Sequence, residues 1–401
     1  MSSGSFGSTR RTGARAIGVL FAAGVLLLPS AFPDRFGPDR VERYAMAAGA
    51  RLTVVDSPAR PVAYRLVEAA VGRGSLSLLG DGLARRRPLS SMAREAGPDL
   101  VAAVNGDFFD IHGHGVPLGP VIRDGELLKG SADPLKAVGT DSRGRLRKGH
   151  VQLTGTLTVG GTPYPLSCLN CLTPRPGLTV YTPDWGPGPR PARHGLPVRQ
   201  LTVSAGRVVD SRTGADDRPV PRDGFLVVAA GETARTTAAA GPGTPVSFTA
   251  GQKPRKRPWA LAIGYRGTLL RHGRIPVFRD TPRYRIREPR TALGWDETGR
   301  RLWLLVVDGR SLHSAGLTIA QTARLLQIHG VRNAVMLDGG GSAEMLARTT
   351  SRVLRIVNDP SEGEERPVPH GLAFFSPPRR QRRRLPRRGA GAPRPGAAWS
   401  G

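Results

Sequence analysis

The sequence predicts an α+β protein: a mixed β-sheet core flanked by helices, with a strand-helix-strand unit near the C-terminus and a β-rich middle region. Three observations predict it. Short apolar or alternating runs recur along the chain at strand length, while two stretches instead carry apolar residues at helical spacing beside capping signals. The 52 Gly and 36 Pro, against only 5% aromatic residues, indicate many turns and argue against a helical bundle. Apolar residues at 39% with charged residues at 22% supply a core and exclude wholesale disorder.

Arg10, Arg11 and Arg15 precede the apolar run Ala16 to Leu28, the layout of a secretory signal. Residues 1–32 therefore read as a signal peptide or signal-anchor, because the run falls short of the ~20 residues a spanning helix needs. Ala45-Met46-Ala47 fits a cleavage pattern but lies far downstream, which keeps the anchor open. Residues 33–44 form a Pro-rich connector and 45–376 the main domain, with a β-rich insertion or lobe over 145–260. The protein is expected to be secreted or associated with the cell envelope.

The formal net charge of +28 is carried mostly by Arg, and part of it lies in 377–401, where Arg379 to Arg394 alternate with Pro and Gly and no acid occurs. Such a run cannot pack, so a disordered tail is expected. Its candidate partners are anionic cell-envelope polymers. Nucleic acid is disfavoured by the absence of a recognition-helix, zinc-knuckle or aromatic-strand pattern. Cys168 and Cys171, the only cysteines, read as a local disulfide clipping a loop.

Leu52 to Val55, Ala63 to Val67 and Leu100 to Val104 read as short strands, and Leu89 to Glu95 before Gly97-Pro98 as a short helix. Val151 to Val159, Leu201 to Val209 and Gly224 to Ala230 are strand-like pieces of the middle region. Arg290 to Trp295 and Arg301 to Val307 flank a turn and form a hairpin. Thr318-Ile319-Ala320-Gln321 is a capping box, Ile319, Ala323 and Leu326 make an apolar stripe, and Gly330 stands as the C-cap. The strand Ala334 to Leu337 follows.

A strand that returns through a helix to a parallel neighbour brings both C-terminal ends to one sheet edge, where α/β sheets bind ligands. Asp308 and Asp338 stand at those ends. Each is followed by glycine, and in Asp338-Gly339-Gly340-Gly341-Ser342 three glycines let backbone N–H groups approach a ligand oxygen. Neither the last glycine of a nucleophile elbow nor the lysine of a P-loop follows, which disfavours a serine hydrolase and a nucleotide-triphosphate site. Asn105, after another apolar strand, can donate and accept hydrogen bonds, and Asp107 can accept them or hold a cation. Phe108 and Phe109 read as core.

At these residues the chain resembles the phosphodiester glycosidase family. The resemblance rests on Asn105-Gly106-Asp107-Phe108-Phe109, Arg290-Thr291-Ala292-Leu293-Gly294, Val307-Asp308-Gly309-Arg310, Gly316-Leu317-Thr318, Leu337-Asp338-Gly339-Gly340-Gly341-Ser342, and Asn358-Asp359-Pro360 with Glu365-Arg366-Pro367-Val368, in that order. Asp107 stands where the family usually has a small residue, and Gln321 where an acid is common. The resemblance implies hydrolysis of a sugar-1-phosphodiester on its glycosidic side, with a phosphodiester-linked glycan or glycolipid as substrate and no cofactor required. Asp338 is the expected catalytic carboxylate, Asp308 its partner and Glu344 the reserve. Asn105, Asp107, Arg290, Thr291, Arg310, Gly339, Gly340, Gly341, Ser342, Asn358 and Arg366 are the expected substrate contacts, the arginines serving as guanidinium forks for phosphate.

Two other readings stay open. Asp107, His112 and His114, with Asp110 or Asp308, have residue types that could hold a divalent cation and make the protein a metal-dependent phosphodiesterase. Alternatively it binds cell-wall polysaccharide without turnover.

Overall fold

The computed structural model describes residues 39–377, apart from 59, 173–175, 188–189, 191–195, 279–280 and 350–352. The expected signal and almost all of the expected tail lie outside the described residues. What is described is mostly β, which corrects the expected α+β core flanked by helices. Three sheets of seven, eleven and five strands carry the architecture. The longest helix, Ile319–Ile328, has 10 residues, and Leu89–Glu95 has 7. Both helices form where the sequence places them, but each only covers part of a sheet's outer face. The remaining chain forms antiparallel ladders between short turns, so tertiary pairing sets the fold class and the two well-signalled helices misled by their prominence.

The seven-stranded sheet runs Arg40–Ala45, Arg51–Ser57, Val62–Ala70, Arg301–Val307, Arg290–Trp295, Asn333–Met336, Gly267–Leu270. Arg40–Ala45, in the segment read as connector, is its edge strand. Alternation explains how the sheet packs. Along Arg301–Val307, Leu302, Leu304 and Val306 point into one cluster shared with the five-stranded sheet. Trp303, Leu305 and Val307 point the other way, against Ile319, Ala323 and Leu326 of the long helix. With both faces covered, this strand reads as one continuous apolar run. Truncating Leu304, which is fully buried, to alanine is expected to cost about 2–5 kcal/mol.

The long helix carries both capping-box bonds between Thr318 and Gln321, and Gly330 follows it at φ 78°. The strand-helix-strand unit exists, but with a difference: Arg301–Val307 and Asn333–Met336 are not neighbours. Each pairs antiparallel with Arg290–Trp295, which lies between them. They remain parallel to each other, so their C-terminal ends still share an edge.

The five-stranded sheet runs Leu354–Ile356, Met345–Arg348, Leu100–Asn105, Gly371–Phe375, Ser75–Leu79. Leu89 and Met92 of the short helix pack on its outer face with Leu100, Leu346 and Phe109. The eleven-stranded sheet draws strands from Val121–Arg123 to Trp259–Ile263 and has a core of its own. The piece Leu201 to Val209 proves to be a hairpin, Val198–Ser204 with Arg207–Thr213. Ala205 and Gly206 between them both have positive φ, 47° and 73°, as a two-residue type I′ turn requires. Cys168 and Cys171 form a disulfide.

Candidate active site

Three strand ends and one loop assemble the site. Arg290 pairs with Val307, and Ala292 with Met336, so Arg290, Asp308 and Asp338 stand at one edge of the seven-stranded sheet. Asn105, which ends a strand of the five-stranded sheet, ties that edge to the second layer. Its amide donates to the Asp338 carbonyl at 2.8 Å, and its Oδ1 accepts from the Thr291 hydroxyl at 2.7 Å and the Glu344 N–H at 3.2 Å. The Asp338 N–H donates to the Gly106 carbonyl at 3.0 Å. Asn105 and Thr291, both expected substrate contacts, are thus buried and use their polar atoms on the protein itself.

Asp338 is half-buried, and its carboxylate accepts from the Gly339 N–H at 3.0 Å and from Ser342. Burial pushes its pKa up to about 6, against the pull of those hydrogen bonds and of Arg366 and Arg266. Asp107 is buried, and burial pushes it up to about 7. The Gly119 N–H, at 2.7 Å from its Oδ2, and the nearby Lys129 ammonium oppose that rise, whereas the negative charge of Asp338 adds to it. Lys129 is itself buried, which holds its ammonium down at about 8, and it donates to the Gly119 carbonyl at 2.9 Å. The room for Asp107 exists because its neighbours lack side chains: a Cβ at Gly264 would stand 2.2 Å from Asp107 Oδ2. Two carboxylates of raised proton affinity therefore sense each other here, an arrangement found where acid and base roles are divided.

Asp308 and Glu344 are placed differently. Asp308 Oδ1 accepts from the Asn358 amide at 3.1 Å and the Asp359 N–H at 3.0 Å, while Oδ2 is buried with no hydrogen-bond partner. Burial pushes it up to about 6. Asn358 in turn accepts from the Met345 N–H at 2.7 Å and donates to the Ala343 carbonyl at 3.2 Å. Asp308 shares the sheet edge with Asp338 but no hydrogen bond joins them; its carboxylate fastens the loop 357–359. Glu344 is buried and faces Glu365; burial first, then the charge and hydrogen bond of Glu365, push it up to about 9. It is protonated at neutral pH. The Ser90 N–H donates to Glu365 at 2.9 Å.

The glycine run lies beneath two guanidinium groups. A Cβ at Gly340 would stand 3.1 Å from Arg310 Nη2, and one at Gly341 2.2 Å from Arg366 Nη2. Gly340 has φ 60°, a conformation that favours glycine, and its N–H donates to the Pro289 carbonyl at 3.0 Å. Arg366 pairs with Glu362 and donates to the Ser342 hydroxyl at 3.3 Å; Arg310 pairs with Glu288 at 2.6 Å. Arg290 instead points at backbone, donating to the carbonyls of Leu317 at 2.9 Å and Ile286 at 2.8 Å. Phe108 is only half-buried, and the Arg266 guanidinium lies 5.2 Å from its ring centroid; Phe109 is core, as expected.

The residues considered for a cation do not converge. His114 takes Asp110 as its partner through its backbone N–H at 2.9 Å and its ring at 3.5 Å, His112 is exposed, and Asp107 faces Gly119 and Lys129. Among the described residues no group of three or more His, Cys, Asp or Glu is arranged to hold a metal.

Sequence reasoning missed Lys129, Arg266 and His370, and it quoted Glu365 within a motif without giving it a role. His370 is buried beside Gly106, where a Cβ would meet its ring at 2.0 Å, and neither ring nitrogen has a hydrogen-bond partner. Burial holds it down at about 4. Its signal was available, since it precedes the apolar strand Gly371–Phe375 much as Asn105 ends its neighbour. A single Lys in the strand Glu126–Ser131 gave none.

Comparison with known proteins agrees with these motifs. A 92-residue stretch, 23% of this chain, is 37% identical to an uncharacterized SPbeta prophage-derived protein, YomE, of Bacillus subtilis, and covers 13% of its length. A hypothetical protein from Synechocystis has a similar fold, with TM-score 0.66 and 21% identity over 84% of this chain and 64% of its own. A Burkholderia pseudomallei K96243 protein, provisionally described as exported, gives TM-score 0.59 and 21% identity over 81% of this chain and 74% of its own. The chain thus spans less than two thirds of the first two proteins. The model of the phosphodiester glycosidase family matches residues 198–375, the stretch that supplies Asp308, Arg310, the triple glycine, Ser342 and Arg366, so that over this stretch the chain is similar to that family.

Proposed function

We propose that the protein is an exported hydrolase that cleaves the glycosidic bond of a sugar-1-phosphodiester, releasing free sugar and a phosphomonoester. The observation that carries this reading is the pair Asp338 and Asp107, two carboxylates of raised proton affinity beside the glycine run and the Arg310 and Arg366 guanidinium groups. Phosphate binds across the two arginines and the sugar lies over Asp338. Asp338 takes a proton from water as its oxygen bonds to C1 and the bond from C1 to the phosphate oxygen breaks. The phosphomonoester leaves as an anion and needs little protonation. Asp107 holds the charge balance behind Asp338, with Lys129. Asn105, Thr291, Asp308, Asn358 and Arg290 fix the loops, and the Glu344–Glu365 pair supports Ser342 and Arg366 from below. Export is supported by the N-terminal Arg and apolar pattern and by the description of the Burkholderia neighbour.

The test is hydrolysis of an N-acetylglucosamine-1-phosphodiester in 18O-labelled water. Label in the sugar and none in the phosphomonoester is expected, with Asp338→Asn folded but inactive. Label in phosphate would mean cleavage at phosphorus, and glycan affinity without turnover would mean a binding protein; either outcome, or an active D338N, overturns the proposal.

A further inference from the structure

A second concentration of charge lies at the opposite end of the seven-stranded sheet. There Trp295 pairs with both Leu302 and Asn333, five residues along the strand from Arg290 and so roughly 17 Å from the Asp338 edge. A cavity of about 680 Å³ opens at this end, lined by Arg145, Arg147, Lys148, Arg257, Arg271 and Arg300. Only two acids, Asp141 and Glu297, line it as well, so the six Arg and Lys side chains exceed the carboxylates by four charges.

Both acids are already engaged. Asp141 accepts from the N–H groups of Arg143 at 2.9 Å and Arg145 at 3.0 Å, capping its own turn, and Glu297 binds His272 at 2.8 Å and Arg332 at 3.2 Å. Among the described residues, Arg145, Arg257, Arg271 and Arg300 form no ion pair. The cations also crowd one another. Lys148, donating to Thr268 at 3.0 Å, has its pKa lowered by burial and then by the Arg271 charge. Arg147 lies 3.5 Å above the Trp259 ring centroid, and its Nε is buried with no partner. Burial acts against its protonated form, the Asp141 charge partly offsets that, and the Arg257 charge adds to it. Like charges gathered in excess of their counter-charges oppose folding unless an anion offsets them.

We propose that this cavity binds a phosphate-rich polyanion, a run of closely spaced phosphates presented by an oligophosphate or a poly(phosphodiester) chain. Several guanidinium forks at fixed positions suit phosphate oxygens, and the charge excess suits more than one phosphate group. The volume is that of a small-ligand site. Nucleic acid is the weaker occupant, because no aromatic face is open for a base: Trp295 is 5% exposed, and Trp259 is 1% exposed and covered by Arg147. The inference does not depend on the hydrolytic reading above.

The experiment is calorimetric titration of the full chain near physiological salt with inorganic tripolyphosphate, with a glycerol-phosphate oligomer, and with an oligothymidylate of matched charge. Saturable binding of one tripolyphosphate or one glycerol-phosphate oligomer per chain is expected, and the tighter of the two identifies the source. Arg145→Glu with Arg271→Glu should weaken it by about tenfold or more. Arg222→Glu with Arg324→Glu, exposed and outside the cavity, changes the net charge equally and should alter affinity by less than about twofold. This control also holds constant the basic segment beyond residue 377. If the cavity pair fails to fold, the exposed Arg271→Glu alone serves. Equal losses in cavity and control variants, no saturable binding, or tighter binding of the oligothymidylate would each overturn the proposal.

Discussion

Replacing Glu344 by glutamine is expected to flatten the dependence of stability on pH. In the folded protein Glu344 holds its proton up to about 9, against an ordinary 4.5, because it is buried against Glu365. Its folded-state pKa is raised, so its stabilising contribution is complete below the unfolded value and is lost as pH climbs toward the folded one. Between those limits each pH unit removes up to about 1.4 kcal/mol. From pH 7 to 8.5 the wild type therefore loses about 2 kcal/mol through this group, with any water that reaches the pair reducing the figure. Asp308 and Asp338, held near 6, and Asp107, near 7, have largely spent their contributions below that window, and Lys129 titrates in both proteins. Glutamine keeps the shape and an N–H donor toward Glu365 but does not ionise. Urea unfolding at several pH values between 6 and 9 measures both proteins. Parallel curves would refute the reasoning, since they would mean that Glu344 ionises in the folded state as it does in the unfolded chain.

Asn105→Ala should cost about 3–5 kcal/mol in urea unfolding, because it strands the Thr291 hydroxyl, the Glu344 N–H and the Asp338 carbonyl in a buried place. Gly264→Ala drives a methyl group into Asp107 Oδ2, and turnover of the phosphodiester substrate should fall about tenfold or more with about 1–3 kcal/mol of stability. His370, whose folded pKa is depressed to about 4, stabilises fully above 6.5 and progressively less as pH falls toward 4, so His370→Leu should narrow its stability gap to wild type on acidification to pH 4.5. A chelator should leave hydrolysis unchanged, since Lys129 beside Asp107 opposes a cation there; loss of activity restored by a divalent ion would contradict this.

How far the site was legible depended on whether its geometry was local. The capping box at Thr318 and the hairpin around Thr298-Gly299 are written within a few residues, and both formed. That Asp308 and Asp338 share an edge followed from chain direction alone. Which way Asp308 points did not, because one antiparallel strand separates the two parallel ones and Asn358, far along the chain, takes its carboxylate. Lys129 and Arg266 come from strands and loops whose pairing no local pattern announces. Asn105 was singled out correctly as a polar group at a strand end, but its hydrogen bonds are used to join two sheets. The fold class failed for a related reason: two short helices with strong signals outweighed many strands whose signals were weak individually.

The order of strands in the five-stranded sheet governs when the molecule can mature. Gly371–Phe375 inserts between Leu100–Asn105 and Ser75–Leu79, so two strands made early have no ladder between them until residue 375 has been synthesised. Nascent chain up to that point leaves unpaired backbone on both of those strands. This order leaves the last strand to lock the layer that carries Asn105.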